Sequence, residues 1–232
     1  MRLLLIRHGQ TVDNARGVLG AVIPGPGLTE LGIRQAEAIP GALASEPIEA
    51  IYASRMVRTQ LTAAPLARER GLDVQVMDGI HEISAGDLEQ RDDQESIRLY
   101  VGTVFSWWRD FGARIPGGEN GHEFYSRFDR AIGTIAASHE GTVAVVSHGA
   151  AIRAWASWSA VNLDAEYSRT HPLENTGVVV VEGSPADGWR ATSWAGEPVG
   201  GLALEDASAP DPTGGADPGL SEPSASSTVP PA

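Results

Sequence analysis

The feature that most narrows the fold of this chain is the recurrence of short, unbroken apolar runs of strand length, separated by stretches with helical spacing. Leu3-Leu4-Leu5-Ile6 is continuous, as expected of a central strand covered on both faces, because a strand with one wet face would alternate. Ile48 to Ala53 and Thr142 to Val146 read the same way, and Gly177 to Val181 is a fourth β candidate. Between them, Thr29 stands where it can cap a helix running through Leu43, with Leu31, Gln35, Ala38 and Ile39 at helical spacing. Ser54 is expected to open a second helix carrying Arg58, Leu61, Thr62 and Leu66, and helical patterns fit Gln94 to Trp108, Glu119 to Ser138 and Ala150 to Ala160. Strands alternating with helices predict an α/β fold, three layers deep, with a mostly parallel central sheet.

The chain has 232 residues, which suits one domain. Composition changes sharply near Gly196: Pro, Ser, Ala, Gly and acidic residues then dominate, with no Lys or Arg. Residues 1–195 are therefore expected to form the folded domain and 196–232 a disordered acidic tail, whose truncation should leave catalysis unchanged. The formal net charge of -13 argues against binding nucleic acid or an anionic membrane, so an anionic ligand must meet a local cluster of Arg or His. The absence of cysteine removes thiolate metal sites and thiol nucleophiles. The apolar run at Arg2 to Ile6 is too short for a signal-peptide core, and no apolar stretch approaches the ~18 residues of a membrane span. A cytoplasmic protein is expected.

The histidines fall at informative places. His8 and His148 each lie just past the end of an expected parallel strand, and each is followed by glycine, as Arg7-His8-Gly9 and Ser147-His148-Gly149. Ligands of open α/β sheets bind at that edge. Arg7 precedes the first histidine, and Arg58 comes early in the helix after Ser54; Arg forks and helix N-termini both favour a phosphate dianion. Other chemistries fit less well. His81-Glu82 and His122-Glu123 begin like H-E-x-x-H, but Ala85 and Ser126 fill the fifth positions. Ser147 lacks a G-x-S-x-G elbow. The Gly20 to Gly27 stretch lacks the Lys and spacing of a P-loop and reads as a loop near a pocket mouth, while His139 and His171 read as surface or loop residues. No metal and no cofactor are expected.

These segments, in order, resemble the histidine phosphatase superfamily, also called the phosphoglycerate mutase-like family, over nearly the whole body of the chain. Arg7, His8, Gly9, Gln10, Thr11 and Asn14 match its opening signature, and Leu28 to Gly32 with Gln35-Ala36 resemble the approach to its first helix. Ser54, Arg58, Thr62 and Ala63 match a Ser-x-x-x-Arg-x-x-x-Thr-Ala segment, His81-Glu82-Ile83 its acid-bearing stretch, and Pro116-Gly117-Gly118-Glu119 a Pro-Gly-Gly-Glu-Ser turn. Val146 to Gly149, with Ile152-Arg153, completes the series. Asp87, Leu88, Gln90 and Asn120 depart from the family pattern, at positions expected to border the substrate pocket.

The resemblance implies a phosphoglycerate mutase-like fold and a phosphohistidine mechanism. His8 would attack phosphorus as a neutral imidazole, its pKa lowered by neighbouring cations. Arg7, Arg58, His148 and the neutral donor Asn14 would hold phosphate oxygens, and Glu82 would protonate the leaving oxygen and then activate water. His8, Glu82 and His148 form the expected catalytic set, and Arg7, Asn14, Arg58 and His148 the phosphate-binding set. Arg153 is left outside both.

The expected substrate is a small-molecule phosphate ester, with inorganic phosphate as product. Arg91 to Ile115 combines Arg with Tyr100, Phe105, Trp107, Trp108 and Phe111, which suits a polar or ring-bearing leaving group or, equally, core packing of a helix. A mutase using the same His8 is the alternative, disfavoured because no Arg-Arg pair follows the acid. A non-catalytic module binding a phosphorylated ligand is a further one, disfavoured because Arg7, His8 and His148 are all present. Substrate identity and oligomeric state stay open.

Overall fold

A computed structural model describes residues 1–215. Its centre is a six-stranded sheet. In chain order the elements are β1 (Arg2–Arg7), α1 (Val12–Arg16), α2 (Glu30–Ala42), β2 (Ile48–Ser54), α3 (Val57–Arg70), β3 (Val74–Met77), α4 (Gln94–Ser106), α5 (Gly121–Ser138), β4 (Thr142–Ser147), α6 (Gly149–Ser159), α7 (Ala165–Thr170), β5 (Val178–Ser184) and β6 (Gly188–Ala195). The strands lie in the order β3-β2-β4-β1-β5-β6. β3, β2, β4 and β1 are parallel, while β5 and β6 run antiparallel along one side.

Period-2 alternation divides each central strand between two cores. Leu4 and Ile6 of β1, Ala144 and Val146 of β4, and Val178 and Val180 of β5 face Ile39 of α2 and Ala63, Leu66 and Ala67 of α3. Leu3 and Leu5, Val143 and Val145, and Val179 and Val181 face the opposite way, against Phe124, Phe128 and Ile132 of α5 and Ile152 and Trp155 of α6. A continuous apolar run is what such two-sided burial requires. In β2 a register shift between Ile48 and Ala50 inserts Glu49 as an extra residue, so Ile48 serves one core and Ala50 the other although they are two positions apart.

The expected α/β/α layers and the largely parallel sheet are present. The β candidate at Gly177 forms β5, but antiparallel to β1. The short strand β3, the edge strand β6 and the small helices α1 and α7 carry too few periodic apolar positions to be read in sequence. Thr29 caps α2 through Gly32 N–H at 3.0 Å, as expected. Ser54 does not cap α3: it ends β2, Met56 is the N-cap, and the Ser54 hydroxyl serves the site described below.

Beyond β6 the chain has a described course that the composition of this segment did not suggest. Residues 196–215 run back over the C-terminal edge of the sheet, through a single 3-10 turn at Leu202–Leu204. Low apolar content argued for disorder, but polar contacts to side chains of the body anchor this stretch. The rest of the expected tail, 216–232, lies outside the described residues. Among the described residues no helix is long and apolar enough to cross a membrane.

Candidate active site

Register builds the site. β1 and β4 pair in parallel with Arg7 opposite Ser147, so His8 and His148 leave the sheet side by side. His8 N–H donates to the Ser147 carbonyl at 3.0 Å, and the two rings meet edge to face with centroids 5.1 Å apart. β2 flanks β4 on the other side, which delivers Ser54 to His148 and, one turn on, Arg58 at the start of α3. Arg7, His8, Arg58, His148, Asn14 and Glu82 are all buried.

The tautomers follow from the hydrogen bonds. His8 Nδ1 lies 2.8 Å from the Gly9 carbonyl, an acceptor only, so Nδ1 carries the proton and Nε2 is the bare nitrogen. Burial, reinforced by the Arg58 and Arg7 charges, pushes the His8 pKa well below 6.5 and keeps the ring neutral. Burial lowers His148 in the same way, with Arg58 and His8 adding to it. Its Nε2 contacts the Ser54 hydroxyl at 2.8 Å; a neutral ring accepting there carries its proton on Nδ1. Among the described residues His148 Nδ1, Arg7 Nε and Arg58 Nε are buried without a hydrogen-bond partner. Unpaired buried donors are costly, and three of them in one cluster suit an anion with several oxygens.

The backbone around His8 is tightly held. Gly9 N–H donates to Thr62 Oγ1 at 2.9 Å, and a Cβ on Gly9 would come within 2.6 Å of the Gly32 carbonyl, so α2 could not pack as it does beside a larger residue. The Asn175 side chain donates to the His8 carbonyl at 3.0 Å. Asn14 caps α1 reciprocally with Thr11, and its Nδ2 points to Asp211 at 3.3 Å. The Gly-rich loop wraps Arg58, whose Nη2 donates to the Gly20 carbonyl at 2.9 Å.

Glu82 sits on the loop after β3 at the N-terminus of α6. Oε1 accepts from Ile83 N–H and Ala151 N–H, both at 2.9 Å, and Oε2 from Ala150 N–H at 3.2 Å. Burial raises its pKa above 4.5 despite these donors and the nearby Arg58 charge. It is therefore not the exposed, solvated loop acid that Glu82 would be by default. Arg127 of α5 braces the loop, donating to the carbonyls of Gly79, His81 and Glu82 at 2.6 to 2.9 Å while paired with Glu119. Glu119 in turn accepts from Ser84 N–H at 2.9 Å.

Two recesses adjoin the cluster. Ala21, Val22, Ile23, His81 and Ser84 line a cleft that contains Glu82 itself. A more enclosed aromatic cavity, with Phe105, Trp108, Phe111 and Trp158 in its wall, reaches the site only at Ala150 and Thr213 and includes none of the six expected site residues. If Glu82 serves as proton donor, the cleft is where a leaving group would sit, because such a donor must lie within ~3 Å of the oxygen it serves. The aromatic segment joins core to cavity: Tyr100 and Trp107 pack the core and also line the cavity, whose wall Phe105, Trp108 and Phe111 extend outward. Of the departures from the family pattern, Leu88 lies in the core, Asn120 caps α5, exposed Asp87 donates its N–H to the Pro116 carbonyl at 2.8 Å, and Gln90 lies beside a recess with Asp13 and Gly20.

All six expected residues converge on one edge of the sheet. Ser54, Asn175 and Arg127, which orient them, were not assigned that role from sequence; Ser54 lay within a quoted motif, whereas Asn175 and Arg127 carry no local signal. Arg153, left aside, is buried and donates to the carbonyls of Ser168 and Gly215, both at 2.6 Å.

Known proteins resemble this chain in sequence and in fold. The chain is 37% identical over 217 residues to PE-PGRS family protein PE_PGRS11 of Mycobacterium tuberculosis, a match covering 86% of this chain but only 37% of that protein. It is 30% identical over 220 residues to the probable phosphoglycerate mutase GpmB of Yersinia pestis, covering 91% of this chain and 98% of the relative. Among solved structures, mycobacterial glucosyl-3-phosphoglycerate phosphatase in complex with VO3 superposes with a TM-score of 0.71 at 25% identity, covering 84% of this chain and 99% of that one. Residues 3–196 match the model of the histidine phosphatase superfamily, branch 1, and with two histidines side by side at the strand ends among buried arginines, the chain belongs to that family.

Proposed function

We propose that the protein is a phosphatase that hydrolyses phosphate monoesters of small organic molecules through a phosphohistidine intermediate on His8. The observation that carries this reading is the neutral His8 ring, with Nδ1 tied to a carbonyl and Nε2 bare, set beside unpaired donors of Arg7, Arg58 and His148. Nε2 attacks phosphorus in line with the leaving oxygen; the P–O bond to the leaving group breaks, and its electron pair departs with that oxygen. Arg7, Arg58 and His148 Nδ1–H stabilise the charge on the phosphoryl oxygens in the transition state. Glu82, protonated, gives its proton to the leaving oxygen. As a carboxylate it then takes a proton from the water that cleaves the phosphohistidine, which restores both groups.

The environments of His8 and Glu82 support this division of labour, since burial drives one pKa down and the other up. Both shifts act in the direction that favours a free nucleophile together with a protonated acid. Inorganic phosphate release from a panel of phosphorylated metabolites, with His8→Ala beside the parent, tests the reading. Trapping of an acid-labile phosphoenzyme in the parent alone supports it; equal release by both chains refutes it.

The likeness to a probable phosphoglycerate mutase over 91% of the chain keeps a second reading in view, transfer of the phosphoryl group from phosphohistidine to another hydroxyl. Exchange of phosphate between positions of a phosphoglycerate without release of inorganic phosphate would favour it.

A further inference from the structure

The Arg7 guanidinium already faces an anion supplied by the chain itself. Its Nη2 is ion-paired with the Asp211 carboxylate and donates to Thr213 Oγ1 at 3.2 Å, while Nη1 donates to the Leu173 carbonyl at 2.7 Å. Asn14 Nδ2 reaches the other Asp211 oxygen at 3.3 Å, and that oxygen also accepts from Thr213 N–H at 3.2 Å. The Asp211 side chain is almost wholly buried in this position. A carboxylate and a phosphate use the same donor directions of a guanidinium, so the two compete for them.

The segment carrying Asp211 is held by polar contacts. Gln10 Nε2 donates to Asp206 at 2.9 Å, Gln35 Nε2 to the Leu204 carbonyl at 2.7 Å, Leu173 N–H to the Gly214 carbonyl at 2.9 Å, and Arg153 to the Gly215 carbonyl. Residues 206–215 contain no apolar side chain larger than those of Ala and Pro, and Leu202 just before them is 63% exposed. A segment that buries little apolar surface lifts at low cost. Its fit is close all the same: a Cβ on Gly149 would lie 2.7 Å from the Thr213 carbonyl.

We propose that Asp211 is a built-in competitor of phosphate, a carboxylate that occupies the Arg7–Asn14 part of the phosphate site until a phosphorylated ligand displaces it and lifts residues 206–215. The proposal rests on the reading of the cluster as a phosphate site. It reverses the expectation that the segment after 195 is irrelevant to catalysis. The apparent affinity of any phosphorylated ligand is reduced by the fraction of molecules in which Asp211 holds Arg7, so removal of the carboxylate raises affinity.

The test uses the full chain and inorganic phosphate as the probe, by calorimetry, with Asp211→Asn and Asp211→Ala beside the parent and Glu197→Gln as a control that removes one charge from an exposed position of the same segment. Both Asp211 variants are expected to bind phosphate about 3- to 30-fold more tightly, and KM for p-nitrophenyl phosphate to fall by a similar factor, with the control unchanged. Equal or weaker phosphate binding by both variants, with binding intact in the parent, would overturn the proposal alone. Binding by none of the chains would refute the phosphate reading and the proposal with it. Hydrogen exchange in the unmodified chain gives a check that needs no variant: phosphate must speed exchange at Leu173 and Thr213, and unchanged protection there would also overturn it.

Discussion

The phosphate cluster and the aromatic cavity lie next to each other but are built by different means. Arg7, His8 and His148 are set by strand ends whose backbone positions the sheet register dictates, and each is buried. Phe105, Trp108, Phe111 and Trp158 come from a helix, the loop after it and the far end of α6; Trp158, 40% exposed, meets Trp108 at a tilt with centroids 4.8 Å apart and Phe111 edge to face at 4.4 Å. The first arrangement fixes reacting atoms through backbone hydrogen bonds. The second holds its shape only through side-chain packing, which tolerates substitution and rearrangement more readily. On the proposed reading, the chemistry of the phosphoryl group lies where backbone hydrogen bonds set the side chains, and the walls around it are free to differ.

That contrast can be broken most directly at His8. His8→Ala should lower phosphate release from p-nitrophenyl phosphate by at least ~10⁴-fold, because the covalent route is lost and not merely weakened; a loss under tenfold would remove the cluster from the chemistry. Glu82→Gln should cost about 10² to 10⁴-fold on an alkyl phosphate, whose leaving oxygen needs a proton, and far less on p-nitrophenyl phosphate. The same variant sharpens the pH dependence. His8 is pushed well below 6.5 by burial and the Arg58 and Arg7 charges, so its neutral form is lost only as pH falls through the lowered value. Glu82 is raised above 4.5, so its acid form is lost as pH rises through the raised value. kcat/KM on the alkyl ester should be bell-shaped, and Glu82→Gln should abolish the alkaline limb and keep the acid one. An unaltered alkaline limb would take the acid role away from Glu82.

Arg58→Ala should reduce kcat by about 10² to 10³-fold on either ester, the usual loss for one preorganised donor to a developing charge. An effect confined to KM would mean that Arg58 binds ground state and transition state alike. The smallest change is expected across the boundary: Trp108→Ala should leave kcat/KM for a small alkyl phosphate within about threefold, since Trp108 touches the cavity and not the Glu82 cleft. A larger fall would show that the leaving group extends into the aromatic cavity, and the two regions would then form a single pocket. Removal of the Asp211 carboxylate should act on the opposite term, tightening phosphate binding without a new contact.

Much of this is legible in the sequence. The unbroken run Leu3 to Ile6 announced a strand buried on both faces, and the His-Gly steps at positions 8 and 148 announced a ligand edge. Ser54 reads as a cap because a serine before a helix usually is one, and nothing local distinguishes a hydroxyl that caps from one that orients a histidine at the end of the neighbouring strand. β6 was missed because an edge strand with one covered face carries half the apolar signal.

By itself the sequence determined the central strands and the longer helices, and that two histidines lie just beyond strand ends with Arg7 beside one of them and Arg58 early in a helix, because hydrophobic periodicity and residue type are local properties. Only the tertiary structure decided that β1 and β4 are neighbours in register, which places His8 beside His148. It also seated Glu82 on the N-terminus of α6 and brought Asp211, 204 residues along the chain from Arg7, into contact with it. Those are long-range pairings, selected by the packing of whole layers, and no window of sequence contains both partners.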